Sequence, residues 1–193
     1  MRRIALLFLL ALALGGGALA FAQGYGGGSA TRGGGFDLFA FFEGSSASRG
    51  TITTALVRRE AFTATFEGRR QGDGFRLEER FAFEDGGRLQ VWTLAQAGQA
   101  VSGTVETELE TGEMSEPATV SGMSGEDGVV LSYEGYAPGG GGLLLHFRHH
   151  MRAMGDGTVL NRVVVSKFGL PLATSSVIFA RQAAALPSLS RGR

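Results

Sequence analysis

Residues 75–94, FRLEERFAFEDGGRLQVWTL, alternate in polarity on both sides of Asp85-Gly86-Gly87. That is the pattern of two antiparallel strands joined by a tight turn. Strand side chains point to opposite faces with period two. Phe75, Leu77, Phe81 and Phe83 therefore share one face, and Arg76, Glu78, Arg80 and Glu84 the other. Glu79 breaks the rule, because its parity sets a carboxylate among the aromatics.

The alternation recurs about every ten residues along the rest of the chain. It predicts strands over 50–57, 61–67, 75–83, 88–94, 101–109, 118–123, 129–136, 143–151, 159–168 and 175–181. Turn residues separate them, among them Gln71-Gly72-Asp73-Gly74, Gly125-Glu126-Asp127-Gly128 and Gly155-Asp156-Gly157. No segment carries a sustained helical period. The aromatic stretch from Phe36 to Phe42 is expected to make a short helical turn or irregular plug at one end of the core. Many short strands on tight turns define an all-β fold, an antiparallel meander that closes into a lipocalin-like β-barrel of about 8–10 strands rather than a sandwich. The single barrel domain is assigned to residues 36–181, with a disordered tail at 182–193.

Residues 1–22 read as a signal peptide: Met1-Arg2-Arg3 is basic, Ile4 to Leu14 is apolar, and small residues follow. Ala18-Leu19-Ala20 and Ala20-Phe21-Ala22 both suit cleavage. An uncleaved anchor helix is the alternative, yet Gly15-Gly16-Gly17 cuts the apolar run short of the ~20 residues a span requires. The glycine-rich stretch 23–35 lacks the strand before and helix after that a phosphate-binding loop needs, so it is read as a linker. The expected location is outside the cytoplasm, soluble in the periplasm after cleavage. Without Arg2 and Arg3 the 18 basic residues fall to 16, against 18 acidic, which gives no reason to expect nucleic acid or an anionic membrane surface as a partner. The absence of cysteine excludes disulfides, thiolate metal sites and a lipid anchor of the bacterial lipoprotein kind.

Several spaced motifs resemble a bacterial family of small envelope proteins, often lipoproteins, catalogued as domain of unknown function 3833. They are Phe41-Phe42-Glu43-Gly44, Phe75 to Phe81, Glu84-Asp85-Gly86 with Trp92, and Asn161-Arg162 followed by Ser166-Lys167-Phe168-Gly169. The resemblance implies one compact envelope domain and supplies no activity. The chain departs from the pattern in lacking the lipoprotein cysteine, in carrying Gln90 where relatives tend to have arginine, and in Arg148-His149-His150-Met151, where they tend to have an acidic pair.

Five residues are candidates for a ligand site: Glu79, Lys167, Asn161, His149 and Trp92. A buried Glu79 needs a partner or takes up a proton; it is either a ligand-orienting or acid/base group, or half of a structural ion pair. In 159–168 one parity holds Asn161, Val163, Val165 and Lys167, the other Leu160, Arg162, Val164, Ser166 and Phe168; both are equally apolar, so parity leaves open which face is inside. If the first is inside, Asn161 and Lys167 join Glu79 in the lumen. All three histidines fall within His146 to His150, but on a strand His149 faces away from the other two, so no metal site is expected. No serine sits in a nucleophile elbow, and no catalytic residue or cofactor is assigned. Three functions follow: a barrel binding a small apolar or amphipathic, lipid-like ligand; a non-catalytic envelope accessory protein with a core filled by Phe62, Phe66, Phe81, Phe83 and Trp92; or an isomerase or hydrolase using Glu79 with help from His149. Lumen volume separates the first from the second, because small-molecule sites run to roughly 300 Å³ or more.

Overall fold

The computed structural model describes residues 35–54 and 58–187. The expected signal peptide, the linker up to residue 34 and the end of the tail from residue 188 lie outside the described residues. A short helix, α1 (Leu38–Phe42), precedes ten strands: β1 (Gly44–Thr54), β2 (Arg58–Gln71), β3 (Gly74–Phe83), β4 (Gly86–Ala97), β5 (Ala100–Thr107), β6 (Ala118–Gly125), β7 (Gly128–Gly135), β8 (Leu145–Ala153), β9 (Val159–Lys167) and β10 (Leu170–Ala180). Each strand pairs antiparallel with its neighbours in the chain, and β1 pairs with β10, so the sheet is a closed barrel in meander order. Every predicted strand is present, residues 55–57 of the first lying outside the described residues. Gln182 does not open a disordered tail directly, since a 3-10 turn forms at Ala183–Ala185.

Most connections are two-residue hairpins, as in Gln71↔Gly74 and Ala97↔Ala100, whose tips begin with Gly72 and Gly98 at positive φ. The β3–β4 tip is Glu84-Asp85, one residue earlier than the motif suggested, and Gly86-Gly87 already belong to β4. Two longer connections, β5–β6 and β7–β8, lie together at the end of the barrel away from α1, where Glu110 N–H donates to Gly140 O at 3.1 Å.

The inward parity of each strand builds the core, with Phe62, Phe66, Leu77, Trp92, Leu131, Phe147 and Phe179 all buried. On β1 that parity is small: Ser46, Ser48 and Gly50. The space they leave takes rings from elsewhere, and a methyl on Gly50 would run into the ring of Phe62. Phe81 and Phe83 are only partly buried; they stack on each other near Phe62, at the barrel mouth rather than in the centre.

Helix α1 closes the opposite end. Five residues cannot hold a helix alone. Asp37 Oδ1 accepts from Ala40 N–H at 2.9 Å at its start, and the Arg181 guanidinium donates to Ala40 O and Glu43 O at its end. Its rings enter the barrel, with Phe39 stacked on Phe75 at 4.8 Å and Phe42 set 5.3 Å from both Phe66 and Phe179. Docking this close requires Gly68, where a side-chain carbon would collide with the Phe42 carbonyl and the Phe75 ring. Gly68→Ala should therefore lower the free energy of unfolding by about 1–3 kcal/mol, the usual cost of overpacking, as read from the midpoint of urea denaturation.

Candidate functional site

The lumen holds a cavity of about 50 Å³ behind α1, walled by Phe66, Leu77, Met151 and Phe179 among others. Four polar side chains reach it: Glu79 from β3, Trp92 from β4, His149 from β8 and Asn161 from β9. The parity left open around Asn161 is settled here, with Asn161 and Val163 buried and Val164 exposed.

The indole N–H of Trp92 donates to Glu79 Oε2 at 3.2 Å. That bond favours the carboxylate, but loss of water outweighs it and pushes the Glu79 carboxyl up to about 8. At neutral pH Glu79 is mainly the protonated acid. Asn161 Nδ2 lies 3.2 Å from His149 Nδ1. With the amide so oriented, Nδ1 accepts and the proton of the neutral ring sits on Nε2. Burial lowers His149 to about 4 and keeps it uncharged. Glu79 and His149 are partly accessible, and both line the cavity.

Two polar atoms on residues that line the cavity have no partner, His149 Nε2, a donor, and Asn161 Oδ1, an acceptor; away from it Ser46 Oγ, Ser48 Oγ, Arg49 Nε and Ser175 Oγ are likewise buried without one. The rest of the polar layer is satisfied. Gln90 Nε2 donates to Thr107 Oγ1 at 2.9 Å, and Gln90 also hydrogen-bonds Tyr133. Burial first, then the Glu79 charge, raise the Tyr133 phenol above its ordinary range. Tyr133 stacks between Phe147 and His149, and Trp92 sets its edge against both Tyr133 and His149.

Four of the five residues singled out in the sequence thus converge, and Lys167 does not. It shares the inward parity of Asn161, but six residues along a strand is about 20 Å. At the mouth its Nζ donates to Leu144 O at 2.5 Å and lies 4.9 Å from the Phe168 ring centre. No Glu79–Lys167 pair forms. Gln90, Thr107 and Tyr133 are not among the site candidates read from the sequence, although Gln90 shares parity with Trp92 and Leu94 and breaks the apolar face as Glu79 does. His146 and His150 point outward, and among the described residues no group of three or more His, Cys, Asp or Glu could hold a metal.

The two shifts act oppositely on stability. Glu79 binds its proton more tightly folded than unfolded, so its effect is a loss of stability as pH rises from about 4.5 through 8. His149 binds its proton less tightly folded, so stability is lost as pH falls from 6.5 toward 4. Between 4.5 and 6.5 they offset each other; above 6.5 Glu79 alone acts. The wild-type protein should lose on the order of 1 kcal/mol between pH 7 and 9, and Glu79→Gln should abolish that slope while exposing a steeper acid-side loss. Urea midpoints across this pH range check both arms.

Comparison with solved structures finds the crystal structure of Rv2717c from M. tuberculosis, at 17% sequence identity and a TM-score of 0.51, over 74% of this chain and 94% of that one. The likeness is one of fold. No curated protein matches. The family described as "Protein of unknown function (DUF3833)" matches residues 28–181, which span the whole barrel from α1 to the end of β10. The chain belongs to the DUF3833 family.

Proposed function

We propose that this barrel binds a compact small molecule whose polar end sits among Glu79, His149 and Asn161. The observation that carries the reading is the pair of buried atoms without partners, His149 Nε2 and Asn161 Oδ1, at the wall of a cavity. A buried polar atom left unpaired costs about 1–3 kcal/mol, and of those buried in this barrel His149 Nε2 and Asn161 Oδ1 are the ones on residues that line the cavity. A ligand that both accepts from Nε2–H and donates to Oδ1 removes that cost.

The same geometry narrows the ligand. Among the described residues no Lys or Arg lines the cavity, while an acid does. An anionic head such as a fatty carboxylate would enter without a counter-charge, so the site suits a neutral amide or alcohol, or an amine that Glu79 neutralises. A cavity of about 50 Å³ takes the equivalent of three or four waters. A long acyl chain fits only if α1 withdraws, which argues for a compact ligand over the lipid anticipated from the fold. The basic and apolar start of the chain supports export as the setting.

The small volume also favours a second reading, an envelope accessory protein whose filled core is structural. The lone tryptophan separates the two, because Trp92 sits at the cavity and bonds Glu79. On binding, propionamide should shift Trp92 emission at pH 7 whereas propionate does not, and Asn161→Leu should weaken the amide response about tenfold, the loss of one buried hydrogen bond. Native mass spectrometry of the exported protein should find a stoichiometric small molecule. An apo mass together with a silent Trp92 across neutral, cationic and anionic probes leaves the filled-core reading.

A further inference from the structure

The β9–β10 turn carries two features that the fold does not need. Lys167 pairs with Leu170, so the turn is Phe168-Gly169, with φ of 51° and 77°. Two left-handed residues make the hairpin turn that Asn-Gly favours, and a bulky Phe at the first position is strained. Its ring is 91% exposed and stabilises no core. Strain and an exposed aromatic at one residue point to a role outside the barrel.

The neighbourhood has the same character. Leu170 is 67% exposed, and Leu143 and Leu144 are exposed on the β7–β8 connection, which the Lys167–Leu144 bond fastens to the turn. Arg58 and Arg59, both exposed, stand at the start of β2, two strands from β10, with Thr54 of β1 paired to both Arg58 and Ala173. Arg148 is exposed on β8, paired with Val164 of β9, itself 41% exposed. Of the acids toward this end, Glu84, Asp85, Glu108, Glu110, Glu113 and Glu116 lie on the β3–β4 and β5–β6 connections, the second of which touches the β7–β8 connection through Glu108 and Glu110, and the others nearby are Glu60 on β2 and Glu134 on β7.

We infer that the Lys167–Leu170 turn, with Leu143 and Leu144, is a docking tip that seats the barrel on an anionic lipid bilayer. Phe168 and the leucines enter the interface, and Lys167, Arg58, Arg59 and Arg148 face the acidic head groups. A protein partner would need a groove shaped to one projecting ring, whereas a bilayer accepts an apolar tip ringed by cations without shape matching. Lys167 over the Phe168 ring suits the same boundary, a cation at head-group depth above an aromatic in the acyl region.

The chain has no cysteine, so Leu170→Cys in the full-length protein takes an environment-sensitive nitrobenzoxadiazole dye at one position. The dye reports only this turn, so attachment through the apolar leader does not imitate the signal. With equimolar phosphatidylglycerol and phosphatidylcholine vesicles its emission should move to the blue, and with phosphatidylcholine alone it should not. Adding Phe168→Asn should raise the lipid concentration at the midpoint at least about tenfold. Asn suits the left-handed turn, so the melting temperature of that variant should hold or rise. The Arg58→Gln/Arg59→Gln pair should raise the midpoint about twentyfold. An unmoved dye, an equal response to neutral lipid, or a midpoint that these variants leave in place overturns the proposal. None of these outcomes bears on whether Trp92 senses a ligand in the lumen.

Discussion

Closure of the sheet by β1 and β10 is the constraint on which the rest depends. It gives each strand two neighbours and leaves no unpaired edge. Closure on so small a perimeter succeeds because one wall is nearly without side chains: Ser46, Ser48 and Gly50 on β1 make room for Phe62 and the rings of α1. What remains is a small, largely apolar lumen, and burial sets its chemistry. An acid in that space keeps its proton, and an imidazole loses its own. The polar layer therefore offers hydrogen bonds without net charge, which is a narrower capability than the presence of Glu and His alone would suggest.

Much of the architecture was legible because alternation is a local signal. The ten strands could be read from residue types, as could the intrusion of Glu79, which violates the parity of Phe75 and Leu77. The first half of β1 was not legible: Gly44 to Arg49 has no apolar alternation, since its inward residues are chosen for smallness against rings distant in sequence. The orientation of Asn161 was undecidable for a related reason. Val163 and Val164 are both apolar, and the outward one is exposed by 41%, so hydrophobicity there does not mark the inside.

Lys167 shows where parity stops being informative. It states which way a side chain leaves the strand but not how far along the barrel it stands, and the lumen layer that matters is one or two residues thick. Cavity volume was likewise beyond the sequence. It depends on how Phe39, Phe42, Phe66 and Phe179, drawn from α1, β2 and β10, interlock within one end of the barrel. Two of these rings come from the stretch expected to plug one end, and together the four fill most of that end.

The pairing of Ala47 with Ala180 joins nearly the first and last residues of the domain, and α1 leans on Phe179 and is capped by Arg181. The start of the domain thus has no finished surface to rest on until its end has been made. Local hairpins can form as the chain emerges, but the seam and the plug behind it must wait, and the entropy of closing so long a loop falls due at that final step. Until then the aromatics of α1 and the open edges of β1 and β10 are bare. A chain of this topology is most vulnerable to proteases and to its own copies between the synthesis of its last strand and the meeting of its two ends.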